Sequence, residues 1–260
     1  MTASSRRDRF ATALAYVRTM AVFVALWWAL AAWISNPALL PTPLAVLKAL
    51  AALAGDLELF LHAGISLARM LLSLALATLL AVPLGLAMGL NRLLDHIVDP
   101  VIEILRPISG IAWIPLALFI LGVGNALPVF IMTYAAFFPI LLGTVAGVRS
   151  VDKRFVDAAR TMGVPRARIV AKVVVPAALP SLLVALRLGV ASSWTAVVAA
   201  ELIGAPSGLG YAIEWYRELL LTPQVMTFIA AIGLLGYFFD RGLRAMGQRF
   251  APWAAEARIS

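Results

Sequence analysis

Long runs of uncharged residues constrain the fold of this chain more than any other feature. The longest run covers residues 107–148, and two others cover residues 70–90 and 219–239. A helix that crosses the hydrocarbon core of a bilayer needs about 20 mostly apolar residues. Charged residues make up only 13% of the chain, whereas soluble domains average roughly 25%. The sequence therefore predicts an all-α integral membrane protein.

Turn signals divide these runs into six transmembrane helices. The run over residues 107–148 is twice the length of one crossing, and the glycine-containing turn at residues 122–125 divides it. Residues 36–62 are predicted to lie outside the spans and to include a short amphipathic helix near residues 44–53. The predicted spans cover residues 20–34, 70–90, 101–121, 126–148, 179–203 and 219–239.

Two pairs of glycines lie four residues apart inside predicted spans. Gly85 and Gly89 belong to the second span, and Gly143 and Gly147 belong to the fourth. Small residues at this spacing allow two helices to approach closely within a membrane. We therefore expect close helix contacts at both pairs.

Lysine and arginine are distributed unequally between the two sides of the predicted membrane. Sixteen lie on the side of the termini, the 2–3 loop and the 4–5 loop, and three lie on the other side, namely Lys48, Arg69 and Arg217. Cytoplasmic loops carry the excess of positive charge. We therefore predict a cytoplasmic tail over residues 1–18, a transmembrane domain over residues 19–245 and a second cytoplasmic tail over residues 246–260. A cleaved signal peptide is the alternative for the first span, but its removal would leave five spans and disturb this charge pattern.

The composition excludes several kinds of site. The chain has no cysteine, which excludes disulfides and thiolate metal centres. Its two histidines, His62 and His96, are isolated in sequence, so neither a metal site nor a bound cofactor is expected. The sequence lacks the G-x-x-x-x-G-K-[ST] phosphate loop and common catalytic signatures, so the chain is predicted not to be an enzyme. The basic residues lie between spans and form no soluble basic face, so nucleic acid is not an expected partner.

The loop between the fourth and fifth spans, residues 149–176, is basic and patterned like a helix. Apolar residues recur at helical spacing on both sides of Gly163 and Pro165, which predicts a helix, a turn and a second helix from residue 166. Ala158 and Ala159 are small enough to let a partner's backbone approach, and Asp157 is placed in the first turn of the first helix. The alternative is a solvated basic connector held by acidic lipid head groups.

The spacing in this loop resembles the EAA loop of ABC-transporter permeases. Asp157-Ala158-Ala159 is followed after three residues by Gly163 and after nine more by Val173-Val174-Val175-Pro176. Asp replaces the usual Glu, and valines replace the usual Ile and Leu. Further stretches between residues 39 and 240, including residues 106–126 and 199–211, resemble the nitrate/sulfonate/taurine branch of these permeases.

The resemblance implies the permease subunit of an ATP-driven importer for a small anionic solute such as a sulfonate, taurine or nitrate. It implies the methionine-permease-like type I importer fold and a bacterial inner-membrane location. The implied partners are a second copy of the permease, a periplasmic binding protein, the lipid bilayer and a separate cytoplasmic ATPase dimer that binds ATP and Mg²⁺. The residues implied to couple to the ATPase are Asp157, Ala158, Ala159, Met162 and Gly163.

Charged residues inside the fifth span are candidates for the transport pathway. Arg187 and Glu201 are 14 residues apart on one helix, too far to pair, so each needs a partner on another helix or contact with water. A structural ion pair, or a side chain that reaches the inner interface, is the alternative for Arg187. Residues 204–211 are predicted to form an outer contact, a gate or a simple turn. The pathway or gate candidates are Arg187, Glu201, Trp113 and Ser207.

A secondary transporter or channel that works without an ATPase is the competing interpretation. Such proteins usually place several ionisable residues at mid-membrane for ion coupling. Arg187 is the single candidate of that kind in the sequence. This interpretation also leaves the patterned 4–5 loop without a role.

The charge asymmetry predicts that alkaline phosphatase fused after Ser260 will be inactive in cells, because the fusion will remain in the cytoplasm. A matched fusion within residues 36–62 should be active, since that segment is predicted to lie on the other side. Phosphatase activity at both positions, normalised to fusion-protein levels, is the measurement. An active fusion after Ser260 contradicts the predicted topology.

Overall fold

The structure is a computed structural model that describes residues 3–250, with side chains described for residues 15–245. All regular elements in that range are helical. They are α1 (Ala3–Ile34), α2 (Pro43–Gly55), α3 (Glu58–Leu90), α4 (Arg92–Leu105), a 3₁₀ turn (Gly110–Trp113), α5 (Ile114–Leu121), α6 (Ala126–Arg149), α7 (Lys153–Thr161), α8 (Arg166–Ile169), a π turn (Val170–Val174), α9 (Val175–Gly204), α10 (Leu209–Glu218) and α11 (Thr222–Phe250).

Six membrane crossings fit the described part of the chain. Five helical segments are long and apolar enough to cross a bilayer, and a bent pair formed by α4 and residues 110–121 makes a sixth when it is counted as one span. The prediction of six spans and the predicted short helix before α3 are confirmed. The prediction of one uninterrupted span over residues 101–121 is wrong, because the two halves meet at 82°. Pro107 is the second residue after α4 and has no N–H to continue the helical hydrogen-bond ladder beyond Arg106.

The predicted helix from Arg166 is present, but it is not separate from the fifth span. Residues Arg166–Gly204 form one helical segment of 39 residues that includes a π turn. Pro176 follows that turn and cannot donate a hydrogen bond to the carbonyl four residues earlier, so the wider turn accommodates its ring. Movement of α8 is therefore transmitted directly to α9.

The chain divides into two compact units, and the smaller one comprises Met1–Phe60 and Ala212–Ala230. Hydrogen bonds between distant segments hold this unit together. Trp27 Nε1 donates to the Pro41 carbonyl at 3.1 Å, and Thr222 Oγ1 donates to the Ala38 carbonyl at 2.6 Å. The Tyr216 hydroxyl donates to the Glu58 carboxylate. Burial and this carboxylate raise the pKa of Tyr216 to about 12, so its hydroxyl remains a donor at neutral pH.

The larger unit comprises Leu61–Tyr211 and Ala231–Ser260, and close contacts between α3, α6 and α9 form its centre. A Cβ atom added at Gly85 would lie 2.8 Å from Thr144 Cβ, and one added at Gly89 would lie 2.7 Å from Val148 Cβ. On the neighbouring face of α6, a Cβ at Gly147 would lie 2.8 Å from Ser181 Cβ, and Gly143 contacts Ala185. The expected close contacts at both glycine pairs are confirmed.

The predicted domain boundaries fall within helices where the structure describes them. Residues 3–18 belong to the same helix, α1, as the first span, and α11 extends to Phe250. Residues 1–2 and 251–260, parts of the two predicted tails, lie outside the described residues. The cytoplasmic location of the tails remains a prediction.

The contact between α6 and α9 predicts that Gly143→Ala will destabilise the protein. The new methyl group would overlap with Ala185, and overpacking of this kind costs about 1–3 kcal/mol. Gly64→Ala is the matched control, because no atom lies within 4 Å of its added Cβ and open surface substitutions change stability by about 0.5 kcal/mol or less. Unfolding of both purified variants in mixed detergent micelles measures the difference. Equal stability of the two variants contradicts the proposed steric contact.

Candidate functional site

Helix α7 is a nine-residue helix with defined ends. Asp152 caps its start, since its carboxylate accepts a hydrogen bond from the Arg154 backbone N–H at 2.9 Å. Gly163 ends it with φ of 74°, a conformation that glycine adopts without strain. The turn that the sequence predicts at Gly163 and Pro165 is confirmed. The placement of Asp157 in the first turn is wrong, because α7 begins at Lys153 and Asp157 lies in its middle.

The two small residues of α7 face different directions. Ala159 is 6% exposed and packs within an apolar cluster of the larger unit that includes Val148, Ile169, Val174 and Ala178. Ala158 is exposed, as are Asp157 and Gly163, and Met162 is 74% exposed. Four of the five predicted coupling residues are therefore accessible. The prediction that Ala159 couples to a partner is corrected, because its side chain anchors α7 to α6 and α9 and cannot form part of an exposed docking face.

A basic cavity of about 670 Å³ opens beside α7, between the end of α3 and the start of α8. Arg149 forms an ion pair with Asp95 at its wall, and Asp157 lies 3.6 Å from Arg160. Arg92, Lys153 and Arg166 add positive charge to the same lining. The surface around α7 is therefore chemically suited to an acidic partner.

A buried polar network connects α3, α6 and α9 near the opposite ends of these helices. Arg69 Nη1 donates to Glu201 Oε1 at 2.7 Å, and both side chains are almost completely buried. Arg69 also donates to Asn125 Oδ1 and to the hydroxyl and carbonyl oxygens of Ser207. Arg69 was predicted to lie on the outer side, before the uncharged run of the second span, but α3 begins 11 residues earlier at Glu58 and contains Arg69.

The same network fixes the segment between α9 and α10. Glu201 accepts hydrogen bonds from Ser66 Oγ and from the Gly210 backbone N–H. His62 Nδ1 accepts from the Gly208 N–H at 3.0 Å. The predicted loop over residues 204–211 is thus short, since α10 already begins at Leu209. Its conformation depends on buried partners from α3 and α9.

The remaining predicted pathway residues are separated in the structure. Arg187 Nε donates to Asp240 Oδ1 at 2.5 Å, with the Arg187 side chain 39% exposed, and Arg244 binds the other oxygen of Asp240. Arg187 thus has a carboxylate partner on another helix, which is the structural ion pair given as the alternative to a pathway role. Trp113 lies in the short turn before α5, with its ring 6.0 Å from that of Tyr134. Glu201 has no exposed surface, and Ser207 is held by Arg69.

Sequence reasoning missed the partners that organise these sites. Asp240 directly follows the uncharged run of the last predicted span, so a charged residue at that boundary was a usable signal. Asp152 directly precedes a helical pattern and has the residue type of an N-cap. Asn125 was read only as part of a turn. Nothing in the sequence indicated that Arg69 and Glu201, 132 residues apart, are in contact.

Comparison with known proteins identifies the family. The model of the family "Binding-protein-dependent transport system inner membrane component" matches residues 81–252. The chain belongs to this family. It is 37% identical over 248 residues to the taurine transport system permease protein TauC of Escherichia coli, covering 93% of this chain and 90% of TauC. It is 28% identical over 157 residues to the nitrate import permease protein NrtB of Synechococcus elongatus, covering 59% of this chain and 56% of NrtB.

A solved structure supports the fold. A chain from the inward-facing MetNI methionine ABC transporter aligns with a TM-score of 0.62 and 22% identity, covering 72% of this chain and 93% of that chain. The predicted methionine-permease-like type I importer fold is therefore confirmed. The family consists of membrane permease subunits, so the chain is a multi-pass inner-membrane transport protein and not itself an enzyme.

The buried Arg69–Glu201 pair predicts that Arg69→Gln will be strongly destabilising. Removing one partner leaves an uncompensated buried charge, which costs about 3–5 kcal/mol. Arg217→Gln is the matched control, because Arg217 pairs with Glu214 at an exposed position and such pairs contribute about 0–1 kcal/mol. Unfolding in detergent compares the two variants. Similar stability losses would show that the buried pair has no special role.

Proposed function

We propose that this chain is the membrane-spanning subunit of an ATP-driven importer that moves a small anionic solute, such as a sulfonate, taurine or nitrate, into the cytoplasm. Family membership and the likeness to TauC and NrtB support the solute class. The coupling mechanism is supported by the geometry of α7, because this helix is exposed on one face and packs against two spans on the other.

The docking face consists of Asp157, Ala158, Met162 and Gly163, which are all exposed. Small side chains at Ala158 and Gly163 let a cleft on the partner close around the helix. Asp157 supplies a negative charge to a surface that is mostly basic, and Met162 supplies an adaptable apolar contact. The partner is a separate cytoplasmic ATPase dimer that binds ATP and Mg²⁺.

Movement of the docked helix would reach the membrane by two routes. Ala159 packs against Val148 at the end of α6 and against Ala178 in α9. The helix from α8 continues through the π turn into α9. ATP-driven displacement of α7 would therefore shift both spans together, and the glycine contacts between α6 and α9 keep those spans in register.

The full assembly that we propose contains two copies of this chain, two ATPase subunits and a periplasmic binding protein that delivers the solute. Both termini lie in the cytoplasm, in agreement with the positive-inside rule. Arg69 does not weaken this assignment, since its position inside α3 leaves only two basic residues, Lys48 and Arg217, on the outer side.

Ala158→Trp is predicted to abolish coupling while the protein remains folded and inserted. The new ring would project from the exposed face of α7 and block entry into a cleft, whereas it would meet no core atoms of this chain. ATP hydrolysis by the reconstituted complex, stimulated by the loaded binding protein, should fall at least about tenfold, which corresponds to about 1.4 kcal/mol of lost interaction. Co-purification of the ATPase with the variant gives the second readout.

Two further variants control this experiment. Arg168→Gln changes an exposed residue outside the docking face and should leave hydrolysis unchanged. Gly163→Val should lower hydrolysis, because a β-branched residue is strained at φ of 74°. If Ala158→Trp and Gly163→Val both retain the ATPase and transport normally, the 4–5 loop is a basic connector and the coupling proposal is wrong.

A further inference from the structure

The break between α4 and α5 opens onto a cavity of about 300 Å³. Its lining includes Arg106, Ser109 and Gly110 from the break, and Tyr134, Phe138 and Pro139 from α6. Helix α6 runs from Ala126 to Arg149, so these three residues lie near its midpoint. The cavity is therefore at mid-height of a membrane-spanning helix.

Arg106 is the unusual member of this lining. Arg69 and Arg187 also lie within spans, but each has a carboxylate partner, Glu201 and Asp240 respectively. Within the described residues, Arg106 forms no ion pair. A charged side chain near the bilayer centre is costly in contact with lipid and normally faces a partner or a water-filled cavity. Arg106 thus has one positive charge available to a ligand in the cavity.

The backbone beside Arg106 is held in place by contacts that do not use its guanidinium. The Arg106 N–H donates to the Ile102 carbonyl at 2.8 Å, and the Tyr134 hydroxyl donates to the Leu105 carbonyl at 2.6 Å. The ring of Tyr134 is itself packed edge-on against Phe138 at 5.1 Å. The backbone position of Arg106 is therefore set by α4 and α6, while the donors of its exposed side chain remain available.

The chemistry of the lining fits a small monovalent oxyanion. A guanidinium presents a planar set of donors that matches two oxygens of a sulfonate or nitrate, and the Ser109 hydroxyl offers a further donor. The volume is at the lower end of the range for small-molecule pockets, about 300–1,000 Å³. The aromatic and proline walls provide no second cation, which disfavours divalent anions.

We propose that this cavity is a transient anion-binding site on the transport path, with Arg106 as its binding residue and Ser109 as a second donor. The proposal rests on the proposed import of an anionic solute and adds the place in this chain where that solute is recognised. A single cation in a shallow site binds weakly, which suits a site that the solute must leave again.

Cysteine chemistry tests this site directly, because the chain has no native cysteine. Ser109→Cys introduces one thiol in the cavity of the full transporter complex in proteoliposomes. Its modification rate is measured with two methanethiosulfonate reagents, one with a sulfonate group and one with a trimethylammonium group. The quantity compared is the ratio of the modification rate with the anionic reagent to the rate with the cationic reagent. We expect this ratio to be about tenfold or more higher at residue 109 than at a thiol with no charge nearby, because a neighbouring charge acts strongly in a partly dehydrated environment. Methanesulfonate should slow the reaction.

The decisive comparison places Arg106→Gln in the Ser109→Cys background. The preference for the anionic reagent and the protection by methanesulfonate should both disappear, whereas Arg106→Lys should keep most of the preference. Leu79→Cys, on an exposed apolar face of α3, reports the reactivity of a lipid-facing thiol. A preference that survives Arg106→Gln, or a thiol at residue 109 that is as unreactive as the one at residue 79, overturns the site.

These outcomes are separable from failure of the import proposal, since thiol labelling needs no ATP hydrolysis. If labelling behaves as expected but the wild-type complex shows no ATP-dependent uptake of taurine, methanesulfonate or nitrate, the anion site stands and the proposed function fails. If uptake is normal and the reagent preference is absent, the proposed function stands and the site is wrong. As a transport readout, Arg106→Gln should reduce uptake about tenfold with ATP hydrolysis retained, with Arg168→Gln as the matched control.

Discussion

The close approach of α6 to α3 and α9 is the contact on which the larger unit depends. In lipid there is little hydrophobic gain from bringing two apolar helices together, so association relies on packing and on interhelical hydrogen bonds. Glycines at positions 85, 89, 143 and 147 remove the side chains that would otherwise separate the helices. The Arg69–Glu201 pair then adds a polar contact between α3 and α9. These three helices position both the docking face on α7 and the buried network around Arg69 and Glu201.

The two ends of this three-helix core differ in chemistry. At the end near α7, the polar groups are exposed and mostly basic. Within α7 itself, Ala159 is the only deeply buried residue, and it anchors the helix. At the other end, charges are buried and fully hydrogen-bonded, and they fix a short loop. A partner can therefore bind at the first end without desolvating an internal network. The segment over residues 204–211 at the second end has more hydrogen bonds to buried side chains than its glycine and serine content suggests.

The number of spans could be predicted because lipid imposes a strict requirement on composition and length. The glycine contacts and the positive φ at Gly163 could also be predicted, since both follow from the absence of a side chain. The break at Arg106 was missed, although a charged residue followed by Pro107 inside an apolar run is a usable warning. The contact of Arg69 with Glu201 could not be predicted, because pairing between distant segments depends on how helices rotate and pack. The register of α7 was wrong by a turn because Asp157 was taken for its start instead of Asp152.

The continuity of α8 with α9 has a mechanical consequence. A helix of 39 residues is about 58 Å long at 1.5 Å per residue. If it moves as a rigid body, it acts as a lever with one end beside α7 and the other end at Glu201. If the pivot lies near the glycine contact with α6, a rotation of only a few degrees moves each end by a few ångströms. Such a lever converts a small push on one surface of the membrane into an opposite displacement on the other surface, without any change in the helix itself.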